Sequence, residues 1–82
     1  MKIYRTYILY STLRDVYYIG STGDSLEERL RRHNTNHNGF TGSVNDWMYY
    51  YVEEYSSKEE AVRREKEIKS RKSRKYIESL KK

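Results

Sequence analysis

Two short segments near the start of the chain decide the fold: "IYRTYILYS" at residues 3–11 and "VYYIGS" at residues 16–21. Both are rich in the β-branched and aromatic residues that are typical of strands. The segment "TLRD" between them favours a turn. We therefore predict an antiparallel hairpin, and its tyrosines raise the question of whether they serve packing or chemistry.

The rest of the chain predicts one further strand and three helices. The first helix can be capped by Asp24 or Ser25, with a glutamate at capping-box spacing. The other elements are a helix over 24–33, a third strand over 47–55, a helix from Ser57 to about Lys69 and a last helix from about Ser73. The order ββαβαα predicts an α+β fold with a three-stranded antiparallel sheet flanked by helices.

The longest irregular stretch is "NTNHNGFTGS" at residues 34–43. Loops of this size are often functional. We expect the loop from Thr35 to Ser43, with Phe40, to touch a substrate, whereas His37 reads as an ordinary loop residue.

Length and composition bound the class of protein. With 82 residues and no cysteine, we predict one domain over residues 1–82 with a thin core and no disulfide. No apolar run approaches the roughly 20 residues that span a membrane, and the N-terminus lacks a signal-peptide pattern. We therefore expect a cytoplasmic protein with no membrane association.

Positive charge is concentrated in the C-terminal third. Residues 57–82 contain 11 Lys or Arg and 5 Asp or Glu, whereas residues 1–56 contain 6 and 7. Such a segment suggests a polyanionic partner, most often nucleic acid, although it also fits a solvated helical face. The ten tyrosines have a similar plain interpretation, because a tyrosine ring packs well in a half-buried sheet.

Glu65 is out of place in the predicted second helix. At 100° per residue it shares one face with positions 61, 62, 68 and 69, the stripe expected to face the sheet. Burying a carboxylate without a partner costs several kcal/mol. Glu65 should therefore pair with a cation, such as a nearby arginine, or bind a metal, unless the helix tilts to let it reach water.

Arg29 and His33 in the first helix are four residues apart and point the same way. Arg29 borders the buried face, whereas Arg31 and Arg32 are expected in solvent. A structural interpretation is also available for each: the Arg29 stem can pack on tyrosine rings, and His33 suits the helix C-terminus.

The order and spacing of Tyr7, Tyr18-Ile19-Gly20, Arg29, His33 and Glu65 resemble the GIY-YIG nuclease family. The "YIG" half is present, but the "GIY" half appears as Arg5-Thr6-Tyr7. Many members also carry an asparagine about a dozen residues after the glutamate, where this chain reads "SRKSRKYI". The resemblance nonetheless covers nearly the whole chain and implies the same sheet flanked by helices.

The resemblance implies metal-dependent hydrolysis of a nucleic-acid phosphodiester, with DNA favoured and RNA left open. Glu65 would hold Mg²⁺ or Mn²⁺, and Arg29 would stabilise the negative charge of the transition state. Tyr7, Tyr18 and His33 are all candidates for the base, with Arg29 and the metal expected to lower the tyrosine pKa.

Other residues would support binding. Gly20 would permit a close approach, and Ser21 and Thr22 would position backbone or phosphate at the strand end. Phosphate contacts are expected from Arg71, Lys72, Arg74 and Lys75. The alternative function is a catalytically impaired nucleic-acid-binding domain that acts with partner proteins.

Overall fold

The protein is described here by a computed structural model that covers residues 2–35 and 45–81. The element order is ββαβαα, as predicted, and the predictions of Phe40 as a substrate contact and of His37 as an ordinary loop residue lie outside the described residues. The strands are β1 (Tyr4–Ser11), β2 (Val16–Thr22) and β3 (Trp47–Tyr55); the helices are α1 (Leu26–Asn34), α2 (Lys58–Arg71) and α3 (Arg74–Leu80).

The sheet is antiparallel throughout, with strand order β2-β1-β3. The predicted hairpin therefore forms, and its first strand becomes the central one. Tyr7 lies at the middle of β1, opposite Gly20 on β2 and Val52 on β3. The turn carries Asp15 at a φ of 55°, a left-handed conformation that aspartate tolerates better than most residues.

Helices cover both faces of the sheet because side chains alternate along β1. Tyr7 and Leu9 face one way and form a core cluster with Leu30 of α1. Ile8 faces the other way and packs with Ile68 of α2 and Ile77 of α3. The fold therefore has α1 on one face of the sheet and α2 with α3 on the opposite face.

All three helices begin at a serine that caps the first turn. The hydroxyls of Ser25, Ser57 and Ser73 each accept a hydrogen bond from the backbone N–H three residues on. Ser25, and not Asp24, is therefore the cap of α1. Within the described residues, no helix is both long enough and apolar enough to cross a membrane.

Candidate active site

Tyr7 is the centre of the candidate site. Its side chain is completely buried, and its ring meets the Tyr49 ring edge-on at a centroid distance of 5.7 Å. A Cβ atom added to Gly20 would lie only 2.7 Å from the Tyr7 hydroxyl oxygen. The predicted close approach at Gly20 is therefore present, and the group that approaches is the phenol of Tyr7. A larger residue at position 20 would displace that hydroxyl.

Helix α1 supplies both partners of the Tyr7 hydroxyl. Arg29 donates a hydrogen bond from Nε to the Tyr7 oxygen at 3.1 Å, and His33 Nε2 lies 2.9 Å from the same oxygen. The i,i+4 spacing places both side chains on the face of α1 that packs on the sheet. His33 is 6 % exposed, so its contact with Tyr7 is sheltered from water. Arg31 and Arg32 are exposed, as predicted.

Tyr18 contributes its ring to the same cluster. The ring centroid lies 4.9 Å from that of His33, 6.5 Å from that of Tyr7 and 6.3 Å from that of Trp47. Tyr18 therefore packs against both members of the Tyr7–His33 pair. The predicted grouping of Tyr7, Tyr18, Arg29 and His33 is present in the structure.

Glu65 reaches the same sheet edge from the opposite layer. Its carboxylate accepts a hydrogen bond from the Ser21 hydroxyl at 2.6 Å and forms an ion pair with Lys69 at 2.7 Å. Its side chain is 19 % exposed. The expected cation beside Glu65 is thus present, but it is the lysine one helical turn on and not an arginine.

The two layers meet at the edge strand β2, around Gly20 and Ser21. The Tyr7 phenol lies over Gly20 on the α1 side, and the Ser21 hydroxyl points to Glu65 on the α2 side. The negative charge of Glu65 makes a minor contribution to the rise in the pKa of Tyr7. The neighbouring Thr22 hydroxyl accepts from the Asp24 backbone N–H and so shapes the turn into α1.

The electrostatics of Tyr7 differ from the expectation. Burial raises the pKa of Tyr7, and the hydrogen bond and charge of Arg29 lower it by less. The hydrogen bond to Tyr7 in turn raises the pKa of Arg29. Arg29 thus lowers the pKa of Tyr7, as predicted, although burial raises that pKa by more; the lowering predicted for Arg29 together with a metal stays a prediction. Tyr7 is therefore a protonated phenol at neutral pH.

One of the predicted phosphate-binding residues, Arg74, lies away from the candidate site. Arg74 forms ion pairs with Asp15 and Glu78 and stacks on Tyr17 at the hairpin-turn end of β2. That turn is about 20 Å along the strand from Ser21 at about 3.3 Å per residue. Arg71 stacks on the Tyr76 ring at 4.6 Å. The exposed Lys72 and Lys75 complete the set, so the structure does not gather these four side chains at the candidate site.

Two contacts of Glu65, with Lys69 and with Ser21, were not predicted from the sequence. Lys69 carries an available signal, because it stands four residues after the misplaced glutamate, the usual spacing of a helical ion pair. The Ser21–Glu65 contact joins residues 44 positions apart, and no local pattern announces it. Within residues 2–35 and 45–81, no group of three or more His, Cys, Asp or Glu side chains could hold a metal.

Comparison with known proteins identifies one family. The family model described as the GIY-YIG catalytic domain matches residues 3–77. The matched range contains the whole candidate site: Tyr7, Tyr18, Arg29, His33 and Glu65. Searches of curated proteins and of solved structures returned no match.

Proposed function

Because the chain belongs to the GIY-YIG family of nucleases, we propose that it is a divalent-metal-dependent endonuclease that hydrolyses phosphodiester bonds of DNA. One observation carries the proposal: the hydrogen-bonded chain from Arg29 through the Tyr7 hydroxyl to His33, with the carboxylate of Glu65 bound to Ser21 on the adjoining edge strand β2. It combines a cation for a phosphate, a route for a proton and an oxygen ligand for a metal.

Tyr7 and His33 act together as the base in this proposal. A buried phenol whose pKa is raised is a poor base alone, because it rarely gives up its proton near pH 7. His33 in its neutral form, with Nε2 as the acceptor, can take the Tyr7 proton across the 2.9 Å contact. As it does so, the Tyr7 oxygen takes a proton from the attacking water, the resulting hydroxide adds to phosphorus, and the ester oxygen leaves and is protonated by solvent. Because Tyr7 is fully buried, this step requires the site to open around its hydroxyl when the substrate binds.

Arg29 serves both the base and the substrate. Its Nε–H already contacts the Tyr7 oxygen and would stabilise negative charge that develops there. A guanidinium has five N–H donors, and those on the two Nη atoms would bind the non-bridging oxygens of the phosphate. Arginine suits this role because it stays charged at any pH relevant to the protein.

Glu65 is the residue that would hold the metal. Mg²⁺ prefers hard oxygen ligands, binds few protein groups and keeps several waters, so a single carboxylate fits it. Ser21 orients that carboxylate through Oε1, and Lys69, half exposed, can withdraw from Oε2. When bound, the divalent ion supplies positive charge that offsets the charge on the leaving oxygen. Mn²⁺ is an equivalent ion for this ligand type.

A second candidate function is nucleic-acid binding without catalysis, together with partner proteins. One observation favours it: residues 66–82 contain no asparagine, although many members of the family carry one in this region. The Tyr7–His33 contact and the Ser21–Glu65 contact are both present without such an asparagine, which is why we place catalysis first.

Cleavage of supercoiled plasmid and of labelled branched DNA, with Mg²⁺, Mn²⁺ or chelator, tests the proposal. We expect metal-dependent cutting by the wild type and a loss of about 100-fold or more in Tyr7→Phe and in Glu65→Gln. Tyr55→Phe is the matched control, because it removes a tyrosine hydroxyl that binds Glu53 outside the site.

The possible results separate the two candidates. Cutting that persists in Glu65→Gln would contradict the assigned metal ligand. No cutting of any substrate, with salt-sensitive DNA binding intact, would favour the binding domain.

A further inference from the structure

A cavity of about 310 Å³ opens directly beside the candidate active site. It lies at the end of the sheet, between the start of β1, the turn from β2 into α1 and the first turn of α2. Ser21 lines this cavity and also donates a hydrogen bond to Glu65, so one side chain joins the two sites. A group bound in the cavity would therefore adjoin the reacting phosphate.

Glycine at position 23 shapes the wall of the cavity. A Cβ atom added there would lie 2.9 Å from ring carbon Cε1 of Tyr4 and 3.0 Å from Cε of Lys2. Both of these side chains line the cavity, and the Lys2 ammonium lies 5.5 Å from the centroid of the Tyr4 ring. The absence of a side chain at Gly23 thus leaves room in the wall for the Tyr4 ring with the Lys2 ammonium over one of its faces.

Positive charge dominates the remaining lining. Lys58 in the first turn of α2 adds a second positive charge to that of Lys2. The carboxylate of Asp24, which also lines the cavity, forms an ion pair with Arg32 at 3.6 Å. Lys58 is seven residues before Glu65, which is two helical turns and about 10 Å along the same side of the helix. A cation at this distance from the metal ligand suits the phosphate of a flanking nucleotide.

From these contacts we infer that the cavity is a subsite for one nucleotide next to the cut, with its base stacked on Tyr4 and its phosphate held by Lys2 and Lys58. An aromatic ring beside lysines is the general means by which proteins bind single-stranded nucleic acid. A base can enter the cavity only when it is not paired. The substrate class is therefore DNA with an unpaired base beside the cut, as at a flap or a single-strand junction.

This inference takes its ligand from the proposed nuclease function, so its test measures binding without cleavage. In chelator, fluorescence anisotropy follows the binding of a labelled ten-nucleotide single strand and of the matched duplex. The variants are Tyr4→Leu, which removes the ring, Tyr4→Phe, which keeps it, and Lys58→Ala. Lys66→Ala is the charge-matched control on the same helix, because Lys66 does not line the cavity.

We expect Tyr4→Leu to weaken single-strand binding about tenfold, because base stacking on an aromatic ring is typically worth that much. Tyr4→Phe should bind like the wild type, and duplex binding should change little in either variant. Lys58→Ala should reduce the slope of log affinity against log salt by about one, unlike Lys66→Ala. A 2-aminopurine base at the flanking position should lose fluorescence on binding to the wild type and to Tyr4→Phe, but not on binding to Tyr4→Leu.

Failure of the subsite and failure of the nuclease give different results. Equal single-strand affinity in the wild type, Tyr4→Leu and Lys58→Ala overturns the subsite, even if Mg²⁺-dependent cutting is normal. The expected binding pattern without any cutting supports the subsite and contradicts only the nuclease. Because Lys58 is exposed, its replacement tests the subsite even if Tyr4→Leu does not fold.

Discussion

Arginine meets tyrosine hydroxyls on both faces of the sheet, with different consequences. On the α2 face, Arg64 forms an ion pair with Glu53 at 2.9 Å, and the same carboxylate accepts from two tyrosine hydroxyls, those of Tyr51 and Tyr55. On the α1 face, Arg29 donates to the uncharged phenol of Tyr7. The charge of Arg64 is neutralised within the fold by Glu53, whereas the charge of Arg29, which contacts a neutral phenol, can attract an anionic substrate.

The pKa shifts follow the same division. Burial raises the pKa of Glu53, but hydrogen bonds from Arg64, Tyr51 and Tyr55 outweigh burial and hold it below its ordinary value. Burial and the bond to Glu53 raise the pKa of Tyr55 to about 12. At Tyr7 burial outweighs Arg29. The cluster around Glu53 therefore keeps its charge state, whereas the protonation of Tyr7 is one that a bound substrate or metal can change.

Replacing Arg29 should therefore lower mainly the activity, and replacing Arg64 should lower mainly the stability. The largest expected effect is the loss of activity in Arg29→Ala. We expect Arg29→Ala to reduce DNA cleavage by about 100-fold or more, because it removes a charge directed at the transition state. Cleavage by folded Arg64→Ala should remain close to that of the wild type. Single-turnover cleavage rates, normalised to the folded fraction from circular dichroism, measure both. Equal losses in the two variants would contradict the division.

Stability should show the reverse order. Arg64→Ala leaves the half-buried carboxylate of Glu53 without its cation, at a cost of about 2 kcal/mol. Arg29→Ala should cost less, because the phenol it leaves behind is uncharged and keeps its contact with His33. Urea unfolding at pH 7 gives both free energies. A larger loss in Arg29→Ala would show that Arg29 is chiefly structural.

The dependence of the unfolding free energy on acidic pH should report on the Glu53 cluster. Because the folded pKa of Glu53 lies below its ordinary value of 4.5, its contribution is present above that pH. The contribution is lost as the pH falls through the lower, folded pKa. Between pH 6 and pH 3 the wild type should therefore lose more unfolding free energy than Glu53→Gln does. Glu54→Gln, at an exposed ion pair with Arg5, is the control and should follow the wild type.

The smallest effect is expected among the C-terminal basic residues. Arg74 is already bound to Asp15 and Glu78, as Arg64 is to Glu53, whereas Lys72 is exposed at the end of α2. Lys72→Ala should lower the salt slope of DNA binding by about one, and Arg74→Ala should leave it unchanged. Affinities measured at several salt concentrations test this pair. A reduced slope in Arg74→Ala would restore that residue as a phosphate contact.

Sequence reasoning recovered the elements because local rules control them. Segments rich in β-branched and aromatic residues predicted the strands, and the capping pattern at Ser57 predicted the start of α2. For α1 the sequence left Asp24 and Ser25 open as the cap, and the cap at Ser73 was found only in the structure. Sheet order was less accessible. The same pattern of β1 fits a central or an edge strand, and only the pairing of Tyr7 with both Gly20 and Val52 makes it central.

The site divides in the same way. Helical periodicity is enough to predict that Arg29 and His33 share a helix face and that Glu65 interrupts an apolar stripe, since it places residues along one element. Their partners follow from the tertiary structure: Tyr7 for Arg29 and His33, and Ser21 for Glu65. The tertiary structure also places Arg74 at the far end of the sheet, and it places Lys2 and Lys58 in the wall of one cavity. The physical reason is that periodicity fixes directions within an element, whereas burial and hydrogen bonding between elements decide which side chains meet.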